Sequence, residues 1–494
     1  MRRLALLFLL LAMPLAATAA DSFTVLCYHE VRDDVRDYPD PYAVDSAALI
    51  RQFAWLRGNG YTPVSLEDIA AARRGGKPLP EKAVLLSFDD AYLSFYIRVY
   101  PLLRSFGYPA VLGVVGGWID NPGSATGLYG EKATVAAASF PTWTQLREMA
   151  ASGLVEIASH SYDLHRGVPA NPQGNLQPAA TARIFDGATG GYEDDASWRA
   201  RVRADLARNS AVIERETGRR PRTIVWPYGS YNDELVAMAA ELGMPVALTL
   251  EEGANTPDVP LAALRRVLIE HNPSLAEYAL EVRGPLHPLP LRVVQVRLDE
   301  VYSADAAQQE RNLSILLDRI QSLKPTHVYL HATADADRDG FAEAAYFPTR
   351  HLPLRADLFN RAAWQLASRV DVKVFAVMPV KRLRLSRDAV TGLYEDLARN
   401  AAFDGLVFED GDAEFTRHLA SRTRAFRALL NTPDGIAILP GTDATLAGQF
   451  RTLQLGGRLD FGYAPDDFLR DNPPLARTAP AMSLRVNPLS GERP

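Results

Sequence analysis

From Phe23 onward, short runs of apolar residues alternate with longer stretches in which apolar positions recur every three or four residues. Val25–Tyr28, Ala83–Phe88, Ala110–Val115, Val155–Ser159, Thr223–Trp226 and Val246–Leu250 are compact apolar runs closed by polar or turn residues, and they predict buried strands. Ala48–Asn59 and Trp198–Thr217 carry the helical period between them. Strands alternating with helices imply βαβ units and a parallel sheet, hence an α/β fold as an open sheet or a distorted β/α barrel. A proline-rich stretch at 283–291 reads as a linker. After it a second alternating series predicts strands at Arg292–Leu298, His327–His331, Val372–Met378 and Gly405–Phe408, with a helix at Ala307–Leu323. The expected layout is a leader over 1–20, one α/β domain over 21–282, the linker, a second barrel-like domain over 292–480 and a tail over 481–494.

The polar residues of interest fall just after the predicted strands: His29, Asp89, Asp90, His160 and the Pro227-Tyr228 pair. In a parallel barrel those positions share one rim, where catalytic groups are carried. Phe88-Asp89-Asp90 ends a strand with two carboxylates; at a strand end the chain can turn both toward one centre, although such a pair also serves as a turn or helix cap. His160 and His165 are five apart, so they do not share a helix face. In a loop both imidazoles can curl onto one ion, and imidazole with carboxylate suits zinc or a similar divalent metal. Trp226-Pro227-Tyr228-Gly229 is a strand-ending turn that can wall a pocket.

Composition narrows the setting. Arg2 and Arg3, the apolar run Leu4–Leu11 and Ala17-Thr18-Ala19-Ala20 form a cleavable export signal, which places the expected protein in the periplasm. No later segment reaches the roughly 20 apolar residues of a membrane span. Cys27 is the only cysteine, so an intramolecular disulfide is excluded; its apolar surroundings predict a buried strand residue rather than a lipidation site. The net charge is −6 with no Lys/Arg block, which argues against a nucleic-acid partner.

Taken in order, Phe88-Asp89-Asp90, His160 to His165 and Pro227-Tyr228 resemble the polysaccharide deacetylase family. Cys27-Tyr28-His29-Glu30-Val31, Asp163-Leu164-His165-Arg166-Gly167, Asn171-Pro172-Gln173-Gly174-Asn175, Val225-Trp226-Pro227-Tyr228-Gly229 and Arg266-Val267-Leu268-Ile269 narrow the resemblance to its poly-β-1,6-N-acetyl-D-glucosamine N-deacetylases, which act in biofilm exopolysaccharide export. The resemblance implies that Asp90, His160 and His165 hold a divalent metal (Zn, Ni, Co or Fe). It makes Asp89 the general base and His29 the general acid, with His271 as the alternative acid. Trp226 and Tyr228 are expected to bind the sugar, with a backbone N–H near Tyr228 helping to hold the oxyanion.

Typical members carry an arginine where this chain has Val225, so their arginine network is expected to be absent. The implied substrate is an N-acetylglucosamine polysaccharide, and the implied partner an outer-membrane exopolysaccharide export porin. Peptidoglycan or chitin-like oligomers are alternative substrates, and a polysaccharide-binding export protein is the alternative to an enzyme.

In the second half, Thr326-His327-Val328-Tyr329-Leu330, Tyr346-Phe347-Pro348 and Met378-Pro379-Val380 resemble the glycoside-hydrolase-like domain of the same proteins. The likeness fades after about residue 405, and the chain beyond is short for completing a barrel. Asp410 and Asp412 are the candidate carboxylates there, and polymer binding without cleavage is the favoured expectation. Asp335 to Gly340 opens like a calcium loop, but Tyr346 stands where the bidentate Glu belongs, so a solvated turn is expected.

Overall fold

The computed structural model describes residues 22–284 and 293–427, apart from 39, 123–138 and 324, and the strand Ile436–Ile438. The expected leader and tail, and most of the linker, lie outside the described residues.

The first half is built on one parallel sheet. Its strands are β1 (Phe23–Tyr28), β2 (Thr62–Pro63), β3 (Ala83–Phe88), β4 (Ala110–Val114), β5 (Val155–Ser159), β6 (Thr223–Val225), β7 (Val246–Leu248) and β8 (Val267–Leu268). They run in the order β7-β6-β5-β4-β3-β1-β8, with β2 also pairing with β3. Every residue of β3 and β4 is buried, which is why those runs are apolar at every position but Ser87 rather than alternating. The distorted barrel is a curled parallel sheet: among the described residues β7 and β8 end the order without pairing with each other, although Leu248 bridges to Leu264 just ahead of β8.

Two helices matter for the site. Helix α1 (Ser46–Gly58) starts where the Asp45 carboxylate accepts from the amides of Ala47 and Ala48, and it buries Leu49, Phe53 and Leu56 on one stripe. Helix α2 (Asp195–Thr217) is capped by Asp194 and stopped by Gly218 in the left-handed region, a backbone state glycine adopts without penalty. Its buried face runs Trp198, Val202, Leu206, Asn209, Ile213. Asn209 is a polar residue in an otherwise apolar stripe.

The second half carries β9 (Val293–Arg297), β10 (His327–His331), β11 (Lys373–Met378), β12 (Gly405–Phe408) and β13 (Ile436–Ile438), all parallel and in sequence order. It is a half-barrel with its own apolar core. Helix α3 (Phe359–Val370) joins the halves. Asn360 is buried, accepts from Gln177 Nε2 at 2.6 Å and donates to the Ala170 carbonyl at 2.8 Å; Trp364 Nε1 donates to the Leu176 carbonyl at 2.7 Å. No helix among the described residues is long and apolar enough to cross a membrane.

The Tyr192 hydroxyl donates to Asp357 across the same interface. Burial pushes the Asp357 carboxyl up to about 6, while the Tyr192 hydroxyl pulls it down. A carboxyl that holds its proton more tightly when folded favours the fold below about pH 4, its ordinary range, and loses that contribution as the pH rises through about 6. Asp357→Asn keeps an acceptor for Tyr192 and removes the buried charge. It is expected to raise the melting temperature at pH 7.5, with the gain shrinking toward pH 4, as read by thermal unfolding across that range.

Candidate metal centre and catalytic site

Parallel register brings the chemistry-bearing residues to the carboxyl ends of neighbouring strands. Tyr28 pairs with Phe88, so His29 and Asp89 emerge side by side, and the Asp89 amide donates to the Tyr28 carbonyl. Val114 pairs with Ser159, and the His160 amide donates to the Val114 carbonyl. The chain then departs from ordinary backbone at four non-glycine residues, Asp90 (φ 69°), Ala91 (φ 52°), Ser161 (φ 69°) and Tyr228 (φ 58°). Such left-handed residues cost on the order of 1–3 kcal/mol each and persist where surrounding contacts enforce them. At Asp90 and Ala91 they mark the turn after β3, where Asp90 faces the histidines.

Asp90, His160 and His165 are all buried. Asp90 Oδ1 lies 3.5 Å from His160 Nε2 and 3.3 Å from His165 Nε2, and the ligand atoms of the three residues fall within 4.8 Å of one another. Oδ1 makes no hydrogen bond among the described residues despite being enclosed. Ligand atoms about 2.0–2.2 Å from a tetrahedral ion stand roughly 3.4 Å apart, the spacing seen here. His160 Nδ1 sits 2.8 Å from the Val225 carbonyl, so that nitrogen donates and Nε2 keeps its lone pair for a metal. The donor set fits a divalent ion.

The electrostatics of the two histidines diverge. Burial alone would lower His160, but its contacts with Asp90 and Asp89 outweigh that and hold it above the ordinary histidine value. Burial takes His165 down to about 4, with Asp90 opposing and His160 reinforcing. For Asp90, burial raises the carboxyl and the histidines more than reverse it. An enclosed anion facing two imidazoles is the arrangement a dication completes.

Asp89 stands outside this trio and has its own cage. Arg266, fully buried, donates from Nη1 to Asp89 Oδ1 at 2.7 Å and from Nε to the Thr249 carbonyl at 2.7 Å. The Cys27 thiol points at Asp89 Oδ2 from 3.6 Å, and His29 Nε2 is 4.0 Å from the same oxygen. Burial raises the Asp89 carboxyl, but Arg266, His160 and His29 together leave it well below the usual carboxylate range. Burial also pushes the Cys27 thiol well up, so it remains a neutral donor. Cys27, His29 and Asp89 also cluster closely enough to ligate a metal. The guanidinium and neutral thiol make that trio a caged anion instead.

The typical arginine network is expected to be absent, yet Arg266 serves this site from another position. Val225 occupies the usual position, yet a guanidinium reaches the base from the residue just before β8. The available signal was an arginine opening the apolar run Val267-Leu268-Ile269, but a two-residue strand is too short to show which way its neighbours face.

Trp226 is also corrected. It is fully enclosed among core residues, stacked on Tyr231 with ring centroids 6.5 Å apart, so it cannot meet a sugar. Tyr228 is half-buried with its ring 4.4 Å from that of His165, and Trp118 meets His165 edge-on at 4.7 Å. The His29 ring packs on Tyr42 at 5.1 Å. His271 is exposed, its amide donating to the Pro41 carbonyl.

In the second half, Asp410 accepts from the amides of Val380, Lys381 and Arg382, and Asp412 caps the helix Ala413–Arg424 while pairing with Arg387. Closer to the strand ends, His331 Nδ1 lies 3.3 Å from Glu409.

Residues 76–247 match the polysaccharide deacetylase family, and residues 295–385 match a family described as hypothetical glycosyl hydrolase family 13. The poly-β-1,6-N-acetyl-D-glucosamine N-deacetylase of Escherichia coli K12 is 40% identical over 424 residues, covering 79% of this chain and 62% of its own length. The chain thus spans less than two thirds of that relative. The solved deacetylase domain of BpsB from Bordetella bronchiseptica is 49% identical, covering 50% of this chain and 95% of that one, with a TM-score of 0.46. The glycoside hydrolase domain of PgaB (BpsB) from the same organism is 41% identical, covering 24% of this chain and 44% of that one, with a TM-score of 0.24.

Proposed function

Because the chain belongs to the polysaccharide deacetylase family, we propose that it is a metal-dependent N-deacetylase of poly-β-1,6-N-acetyl-D-glucosamine, acting in the periplasm on exopolysaccharide bound for export and biofilm. The observation that carries this reading is the buried Asp90, His160 and His165 trio standing beside a separately caged carboxylate, Asp89. When bound there, a divalent ion supplies Lewis acidity at the acetyl carbonyl.

The protein's own groups handle the protons. Asp89, kept anionic by Arg266, takes the proton of the attacking water, and the arginine holds the carboxylate in place through Oδ1. His29, beside the base, gives a proton to the departing sugar nitrogen; its placement supports it over His271 as the acid. Tyr228 and the aromatic rings around His165 shape the pocket that receives the acetamido group.

The second half reads as a polymer-binding domain. A carboxylate accepting three backbone amides, as Asp410 does, is committed to holding a turn, and Asp412 is an exposed helix cap. Both roles favour binding over glycosidic cleavage. An outer-membrane export porin is the partner consistent with such a protein.

The substrate is tested by measuring acetate release from poly-β-1,6-N-acetyl-D-glucosamine, chitin oligomers and peptidoglycan side by side. Release that is greatest on the β-1,6 polymer is expected. Preference for either alternative overturns the substrate assignment, and no release from any of them overturns the enzyme reading.

A further inference from the structure

Helix α2 reaches the histidine-bearing loop with two side chains set one turn apart. Asp205 accepts from the Tyr162 amide at 2.8 Å through Oδ1 and from the Asp163 amide at 2.7 Å through Oδ2. Asn209, with no exposed surface, accepts from the Gly116 amide at 3.0 Å and donates to the Val114 carbonyl at 3.0 Å and to Ser159 Oγ at 2.8 Å. The spacing of four places both on one helix face. Together they grip the chain on both sides of His160: Ser159 before it, Tyr162 and Asp163 after it.

A second element locks against the same loop. The Gly116 and Gly117 amides donate to the carbonyls of Ser161 and Tyr162 at 3.3 and 2.9 Å. A Cβ at Gly116 would stand 2.2 Å from Asn209 Oδ1, and one at Gly117 would stand 2.4 Å from the Tyr162 carbonyl oxygen. Neither contact admits a side chain, so the chain after β4 packs its backbone against the Asn209 side chain at Gly116 and against the loop backbone at Gly117.

The polar choice is costly on a helix face that is mostly apolar. Burial pushes the Asp205 carboxyl up to about 6 in spite of its two amide donors. An apolar residue at Asn209 would pack the stripe without a buried amide to satisfy. What the pair delivers instead is a fixed path for a loop that includes Ser161 in the left-handed region.

We propose that Asp205 and Asn209 are positioning residues that set the 159–165 loop so that both histidine Nε2 atoms arrive facing Asp90. The proposal rests on the reading of Asp90, His160 and His165 as metal ligands. Neither is a ligand: Asp205 acts through the loop amides of Tyr162 and Asp163, and Asn209 through the Ser159 hydroxyl and the end of β4.

The test is titration of the purified metal-free protein with Zn²⁺ by calorimetry and with Co²⁺ by visible absorption, which reports coordination geometry. Asp205→Ala and Asn209→Ala are expected to bind about 10–100-fold more weakly, the usual cost of losing an outer support of a metal site, and to show an altered Co²⁺ spectrum. Asp205→Asn, which keeps an acceptor oxygen, recovers part of the affinity. Glu214→Ala, exposed on the same helix, matches the wild type. Metal-free circular dichroism shows which variants are folded, and Asp205 carries the test if Asn209→Ala is not. A folded Asp205→Ala with wild-type affinity and spectrum, even with a lower melting temperature, overturns the positioning role and leaves the metal reading intact. A wild-type chain that binds neither ion overturns both.

Discussion

Asp89→Asn is expected to cut acetate release by roughly 10²–10⁴-fold, the usual contribution of a positioned general base, while leaving metal content unchanged. The separation of effects follows from the geometry. Asp89 lies outside the ligand trio and is claimed by Arg266, so its charge is not needed to hold the ion. The amide retains an acceptor oxygen for Arg266 and cannot take a proton from water. Metal analysis beside an acetate assay reads both halves of the result. Wild-type turnover would remove Asp89 from the base role, whereas loss of metal would mean that it serves as a ligand.

Arg266→Met should produce the largest loss of stability. The guanidinium is fully enclosed, and without it the Asp89 carboxylate is left buried with its nearest full charge gone. Breaking a buried pair from one side costs about 3–5 kcal/mol. Arg266→Lys recovers little, because an ammonium cannot span Asp89 and the Thr249 carbonyl with the fixed fork that Arg266 uses. The double variant Arg266→Met, Asp89→Asn removes both charges and should be more stable than Arg266→Met alone, yet inactive. Denaturant unfolding of the wild type, Asp89→Asn, Arg266→Met and the double variant closes the cycle; equal stability of Arg266→Met and the double variant would show that the pair is not what Arg266 supports.

Much of this architecture is legible in the sequence for a physical reason. A strand covered on both faces is apolar at most of its positions, so Ala83–Phe88, His327–His331 and Gly405–Phe408 have the same limits in the structure as in the sequence pattern. Strands β2 and β8 are two residues long and carry no period. The grouping of Asp90, His160 and His165 was legible because each follows a readable strand, and strand ends in a parallel sheet share a rim. Arg266 was missed and Trp226 misplaced for one underlying reason: whether a side chain next to a strand end points into the core or the mouth depends on its neighbours across the sheet. The Asp205 and Asn209 grip lies further from view, since its partners are backbone amides, a carbonyl and a serine hydroxyl some 40 to 95 positions away in the chain.

The central claim is that one ion sits among Asp90, His160 and His165, and anomalous diffraction from crystals soaked in Zn²⁺ or Co²⁺ addresses it directly. The account predicts one strong peak about 2.0–2.2 Å from an Asp90 oxygen and from both histidine Nε2 atoms. A peak bonded to Asp89, or strong signal elsewhere with none among those three side chains, would contradict it.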